Sequence, residues 1–205
     1  PALLPCPLAA LRSTRTDGSP PMGSAGRTGS LHSASFRSQA LNRDLLYNVY
    51  LPVGYATSGL RYPVIYLLHG RGDTMAAWGE MRTPLDEMIA GGEIPAVIAI
   101  MPDVTASRRA SYYVDSQYTG GDCPGEPVES ALLNDLLPHI DGSYRTIADR
   151  SARAIAGYSM GGYGALRYAL AYPDRFAAAI ILSPAVYYPL PPMDSSTREF
   201  GAFGR

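Results

Sequence analysis

The chain has 205 residues, 46% hydrophobic and 17% charged, with a formal net charge of -1, enough apolar material for one globular domain and too little charge to keep it disordered. No basic run is longer than Arg108-Arg109, so neither nucleic acid nor an anionic membrane surface is an expected partner, and a small or neutral substrate fits better. Two cysteines, Cys6 and Cys123, exclude a disulfide scaffold and a cysteine-rich zinc site, and leave room for at most one bridge.

No apolar run approaches the ~20 residues of a membrane span. The start, Pro1 to Leu11 (PALLPCPLAAL), is apolar and has no initiator methionine, as the remnant of a signal peptide or a sequence boundary would be. A secreted or extracytoplasmic protein is expected, with the cytoplasm as the alternative. Arg12 to Ser30 has little to bury and reads as a flexible leader, so the division is a leader over 1-30 and a domain over 31-205. "RDLLYNVYLP" and the residues before it predict two antiparallel strands between Leu31 and Pro52, forming the first edge of a sheet.

Beyond Gly54 the pattern changes. Apolar runs of strand length, "YPVIYLLHG" (62-70), "PAVIAIMPD" (95-103), "ARAIAGYS" (152-159) and "FAAAIILSP" (176-184), are continuous rather than alternating, which predicts parallel strands covered on both faces. Between them "TPLDEMIAGG" (83-92), "EPVESALLNDLLPHI" (126-140) and "SMGGYGALRYALAYP" (159-173) predict helices punctuated by Gly or Pro. Such alternation is the α/β class, a mostly parallel sheet between helices.

The chemistry concentrates at "GYSMGGYGAL" (157-166), where Ser159 stands between Gly157 and Gly161 at the junction of a predicted strand and helix. A serine on so tight a turn can present its hydroxyl as a nucleophile, and the Met160 amide at the helix start can donate to an oxyanion. A phosphate loop does not fit, because no G-K-[ST] follows. A second donor is expected from the loop after an earlier strand. In "YLLHGRGD" (66-73) the backbone N-H of Arg71 is the candidate, with His69 a residue of the loop rather than a base.

These runs, with Trp78, "SYYVD" (111-115) and "DLLPHIDGSYRT" (135-146), resemble the Putative esterase family of α/β-hydrolases from about Leu31 to Ala185. That family includes S-formylglutathione hydrolases, enterochelin esterases, feruloyl and acetylxylan esterases and mycolyltransferases. The resemblance implies an α/β-hydrolase fold, Ser159 as nucleophile, Arg71 and Met160 as the amides of an oxyanion hole, and no metal or cofactor. The substrate it implies is a small-molecule or carbohydrate-linked ester, without specifying an oligomeric state. Trp78 and Tyr158, and also Tyr112 and Tyr113, are candidates to line an aromatic-tolerant pocket.

The general base is the difficulty. In this fold the acid and then the histidine follow the serine, yet His32, His69 and His139 all precede Ser159. The acids after it are Asp174, in what reads as a helix-to-strand turn, and Asp194 and Glu199 in a polar tail. His139, at the end of a predicted helix, reads as structural. An apolar strand at 176-184 would also be left as a bare sheet edge, so a truncated chain is expected, with acid and histidine in a missing C-terminal part. Three functions follow: a serine carboxylester hydrolase working through an acyl-enzyme, an acyltransferase of the mycolyltransferase type, and a non-catalytic hydrolase-fold binding protein.

Overall fold

The computed structural model describes residues 28-104, 111-116 and 125-188; Cys6, Cys123, Asp194, Glu199 and the apolar start lie outside them. The first two strands, β1 (Ser30–Ser38) and β2 (Arg43–Leu51), pair antiparallel with Ser30 opposite Leu51. Asn42 closes their turn at φ 50°, a left-handed conformation that asparagine tolerates better than most residues. The parallel strands are β3 (Val64–Leu68), β4 (Ile98–Pro102), β5 (Arg153–Tyr158) and β6 (Ala178–Leu182). They assemble in the order β1-β2-β4-β3-β5-β6, with the antiparallel pair joined on through β4.

Period-two alternation sends side chains from one strand to opposite faces. On one face Val64, Tyr66, Leu68, Ile98, Ile100 and Ile155 meet the run from α2 (Val128–Ser130) through a π-helical stretch (Ala131–Leu136) to α3 (Leu137–Ser143), and α4 (Met160–Ala171). On the other, Leu67, Ala99, Met101 and Ala156 meet α1 (Arg82–Ala90), with Trp78 and Met81 from a 3-10 turn (Met75–Met81). The single helix expected over 126-140 is thus interrupted. Pro138 has no amide for the carbonyl four residues back, and the Leu137 N-H reaches Leu132, five back.

Burial on both faces holds for β4 and nearly all of β3 and β5, but not for β6. There Ile180, Ile181 and Leu182 are 42%, 36% and 46% exposed, so the covering on both faces expected of that run does not hold among the described residues, in keeping with the bare sheet edge also expected at 176-184. No described residue pairs with the outer side of β6. On the α1 face a cavity of about 320 Å³ opens between Leu67, Trp78, Leu85, Ala156, Ile180 and Leu182. An apolar run records the composition of a strand; its covering depends on what packs over it.

Candidate active site

Ser159 lies where β5 ends, at φ 53° and ψ -118°, a backbone conformation that L-residues adopt only when the surroundings impose it. The imposition comes from three directions. Its N-H donates to the Leu182 carbonyl of β6 (3.0 Å), and its carbonyl accepts from Tyr163 (3.0 Å) and Ala185 (2.9 Å). A Cβ at Gly157 would stand 2.2 Å from the Gly161 oxygen, and one at Gly161 would stand 2.1 Å from the Leu68 oxygen. The two glycines of the motif are therefore space requirements of a turn in which helix, strand and neighbouring strand meet backbone to backbone. α4 begins at Met160, so its first amides lack intrahelical acceptors and form the positive end of the helix dipole.

Parallel pairing places Leu68 opposite Gly157, so the residues following β3 emerge beside this turn. His69 is 1% exposed and both its ring nitrogens are engaged. Nδ1 lies 2.8 Å from the Gly70 carbonyl and must donate to it, while Nε2 accepts the Val104 N-H at 3.3 Å. Burial holds the ring below its ordinary pKa, in agreement with a neutral Nδ1-H tautomer. His69 is a strut of the loop, as its place in the sequence suggested.

The rest of the loop is tied down by tyrosines. Tyr113 donates to the His69 carbonyl (3.0 Å), and its ring occupies the space that a Cβ on Gly164 of α4 would need. Tyr112 and Tyr113 are 2% and 0% exposed and belong to the core cluster, a correction to their candidacy as pocket-lining residues. Both adopt positive φ, 48° and 58°, in a short segment held by Tyr168 Oη on the Tyr113 carbonyl at 2.8 Å. Tyr158 is partly buried: it donates to Asp73 Oδ2 (2.5 Å) and meets Trp78 edge-on at 5.3 Å. Burial and that bond push its hydroxyl pKa upward, so it stays a donor. Trp78 faces the cavity under α1 as well as Tyr158. Asp73 was missed in the sequence, since the contact spans 85 residues and only the final D of "HGRGD" hinted at it.

The other candidates stay away from Ser159. His139 stacks on Phe36 (4.3 Å) and meets Tyr47 Oη at 3.0 Å, a structural setting on the β1-β2 side. His32 is exposed on β1, four strands from β5, or about 19 Å by strand spacing alone. Asp174 pairs with Arg175 before β6, at the amino ends of the parallel strands and opposite the turn that bears Ser159. Among the described residues no three His, Cys, Asp or Glu side chains gather as metal ligands, and no helix is long and apolar enough to cross a membrane.

A family model described as Putative esterase matches residues 38–199. The chain belongs to that family. It is 32% identical over 171 residues to an endo-1,4-beta-xylanase/feruloyl esterase of Xylanibacter ruminicola, a match covering 78% of this chain and 22% of the relative. It is 37% identical over 150 residues to an esterase of Mycobacterium tuberculosis, covering 70% of this chain and 30% of that protein. This member of the Putative esterase family therefore spans under a third of either curated relative. Among solved structures, a ferulic acid esterase superposes with a TM-score of 0.74 at 31% identity, covering 85% of this chain and 67% of that one. An S-formylglutathione hydrolase of Agrobacterium tumefaciens gives 0.60 at 24% identity, covering 75% and 57%, which supports the α/β-hydrolase fold alone.

Proposed function

We propose that this protein is a serine carboxylester hydrolase in which Ser159 forms an acyl-enzyme. The observation that carries the reading is the backbone of Ser159, held at positive φ by three hydrogen bonds and two glycines at the carboxyl end of β5. A strained turn of this kind raises the hydroxyl out of the sheet, where the end of a parallel sheet opens to ligands.

In this mechanism Ser159 Oγ attacks the ester carbonyl and gives its proton to a histidine. The carbonyl oxygen gains the negative charge and rests on the amides of Arg71 and Met160. The C–O bond to the alcohol then breaks, the histidine returns the proton to the leaving alkoxide, and water repeats the sequence to free the acid. Because His69 and His139 are committed elsewhere and His32 lies at the far edge, the base and its acid are proposed to come from a part of the protein outside Pro1 to Arg205. The relatives named as feruloyl or ferulic acid esterases point to esters of aromatic acids, carbohydrate-linked or free, as the substrate class.

The test uses the full-length protein, a fluorophosphonate probe and methyl ferulate. The expected result is labelling at Ser159, its loss in Ser159→Ala, and release of ferulate in water exceeding transfer to an added sugar. Labelling at another residue, or none, overturns the nucleophile. Transfer exceeding hydrolysis would select an acyltransferase, and ligand binding without turnover a non-catalytic hydrolase fold.

A further inference from the structure

The residue before the nucleophile is connected to the opposite wall of the site. Gly70 to Asp73 form a four-residue turn closed by the Asp73 N-H on the Gly70 carbonyl (3.3 Å), with Gly72 at φ 82° in its third position, the pattern of a type II turn. Arg71 is the second residue of that turn, and its amide is one of the two donors in the mechanism above. Tyr158 touches both ends of it. Its ring fills the place of a Cβ on Gly70, which would lie 2.6 Å from the tyrosine Cε2, and its hydroxyl bonds the Asp73 carboxylate. Trp78 packs edge-on against the same ring at 5.3 Å and limits its freedom to swing away.

One side chain therefore bridges the strand that delivers the serine and the turn that delivers an oxyanion donor. We propose that Tyr158, acting through Asp73, is a positioning residue that fixes the Arg71 amide relative to Ser159, rather than a residue that contacts substrate. The proposal rests on the serine-esterase reading. It makes the side chain between Gly157 and Ser159 a determinant of transition-state geometry: a donor aimed at a developing oxyanion loses most of its effect when it is displaced or free to move. Substrate binding before attack does not depend on that aim, so the defect belongs to kcat.

The experiment is a double-mutant cycle in the full-length protein, with methyl ferulate turnover and the rate of fluorophosphonate labelling as readouts. Tyr158→Phe keeps the ring on Gly70 and Trp78 and removes only the hydroxyl. Asp73→Ala removes the acceptor, and Asp73→Asn keeps an acceptor oxygen in place. Each of the first two is expected to lower kcat and the labelling rate roughly 10- to 100-fold, below the ~10²- to 10³-fold typical of deleting a donor outright, with KM within about twofold. The double variant should be no slower than the slower single one, because both remove the same contact, and Asp73→Asn should recover most of the rate.

Additive losses, a change in KM instead of kcat, or a Tyr158→Phe enzyme as fast as the parent would overturn the proposal while labelling of Ser159 in the parent leaves the esterase reading intact. A parent protein not labelled at Ser159 removes both. If Tyr158→Phe is misfolded by near-ultraviolet circular dichroism, Asp73→Ala against Asp73→Asn decides on the same criteria, since that pair leaves the ring untouched.

Discussion

The turn that bears Ser159 and the loop that follows β3 face each other across the site and are held by different kinds of contact. At the serine turn the constraint is backbone against backbone: Gly157 against Gly161, and Gly161 against Leu68. In the loop it is carried by side chains, the loop's own His69 ring on Val104, and from elsewhere in the chain Tyr113 on the His69 carbonyl and Tyr158 on Asp73. A backbone closure has no rotamer through which to yield, whereas a side-chain strut can be shortened, replaced or re-paired. Damage should therefore be abrupt on the first side and graded on the second.

The largest effect is expected at Gly161. Placing a methyl group 2.1 Å from the Leu68 carbonyl oxygen forces strand and helix apart, and Gly161→Ala should lose about 3 kcal/mol or more in urea unfolding, along with probe labelling. An unchanged midpoint would show that this closure can give after all.

On the loop side, His69→Gln should cost about 2 kcal/mol at pH 7, since one of the Gly70 and Val104 groups loses a well-aligned partner. It should also flatten the pH dependence. The buried ring has its pKa lowered from 6.5, so the unfolded chain binds the proton more readily. The stability that comes from keeping it neutral is complete above about pH 6.5 and falls as the pH falls. His139 has a lowered pKa for the same reason, so a slope of the same sign should persist in the variant. If the wild-type and His69→Gln midpoints change in parallel between pH 7 and 5, the buried neutral ring is wrong.

Smaller still is the strain at Ser159. Ala and Gly both lack the hydroxyl, but only Gly is at ease at φ 53°, so Ser159→Gly should be about 1 kcal/mol more stable than Ser159→Ala. The opposite order would mean that the conformation stores no strain. The smallest change is expected at His139→Phe, which keeps an aromatic ring stacked on Phe36 and loses a partly buried hydrogen bond to Tyr47 and a longer, exposed one to Ser143. Stability within about 1 kcal/mol and undiminished labelling of Ser159 are expected; lost labelling in a folded variant would bring His139 back as a candidate base.

The difference between the two sides also explains what could be read in advance. Backbone crowding admits only glycine, so "GYSMGG" carries its geometry in residue types at fixed spacing. Continuous apolar runs at β3, β4 and β5 announced buried parallel strands in the same local way. The contacts of the loop are not written locally. Tyr158 and Asp73 are 85 residues apart, Tyr113 and the His69 carbonyl 44 apart, and neither hydroxyl has a sequence pattern that names its acceptor. For the same reason Tyr112 and Tyr113 passed for pocket residues although the segment at positive φ folds both rings into the core.

By itself, then, the sequence determined the order of strands and helices, the glycine-bounded serine between them and the position of all three histidines before it, because each depends on residue type and near-neighbour spacing. Only the tertiary structure decided that Tyr112 and Tyr113 are buried, that His69 and His139 are committed to structural hydrogen bonds, and that Tyr158 reaches across to the turn containing Arg71. Those outcomes depend on which surfaces meet once the sheet has formed, and strand pairing brings together residues that the chain keeps far apart.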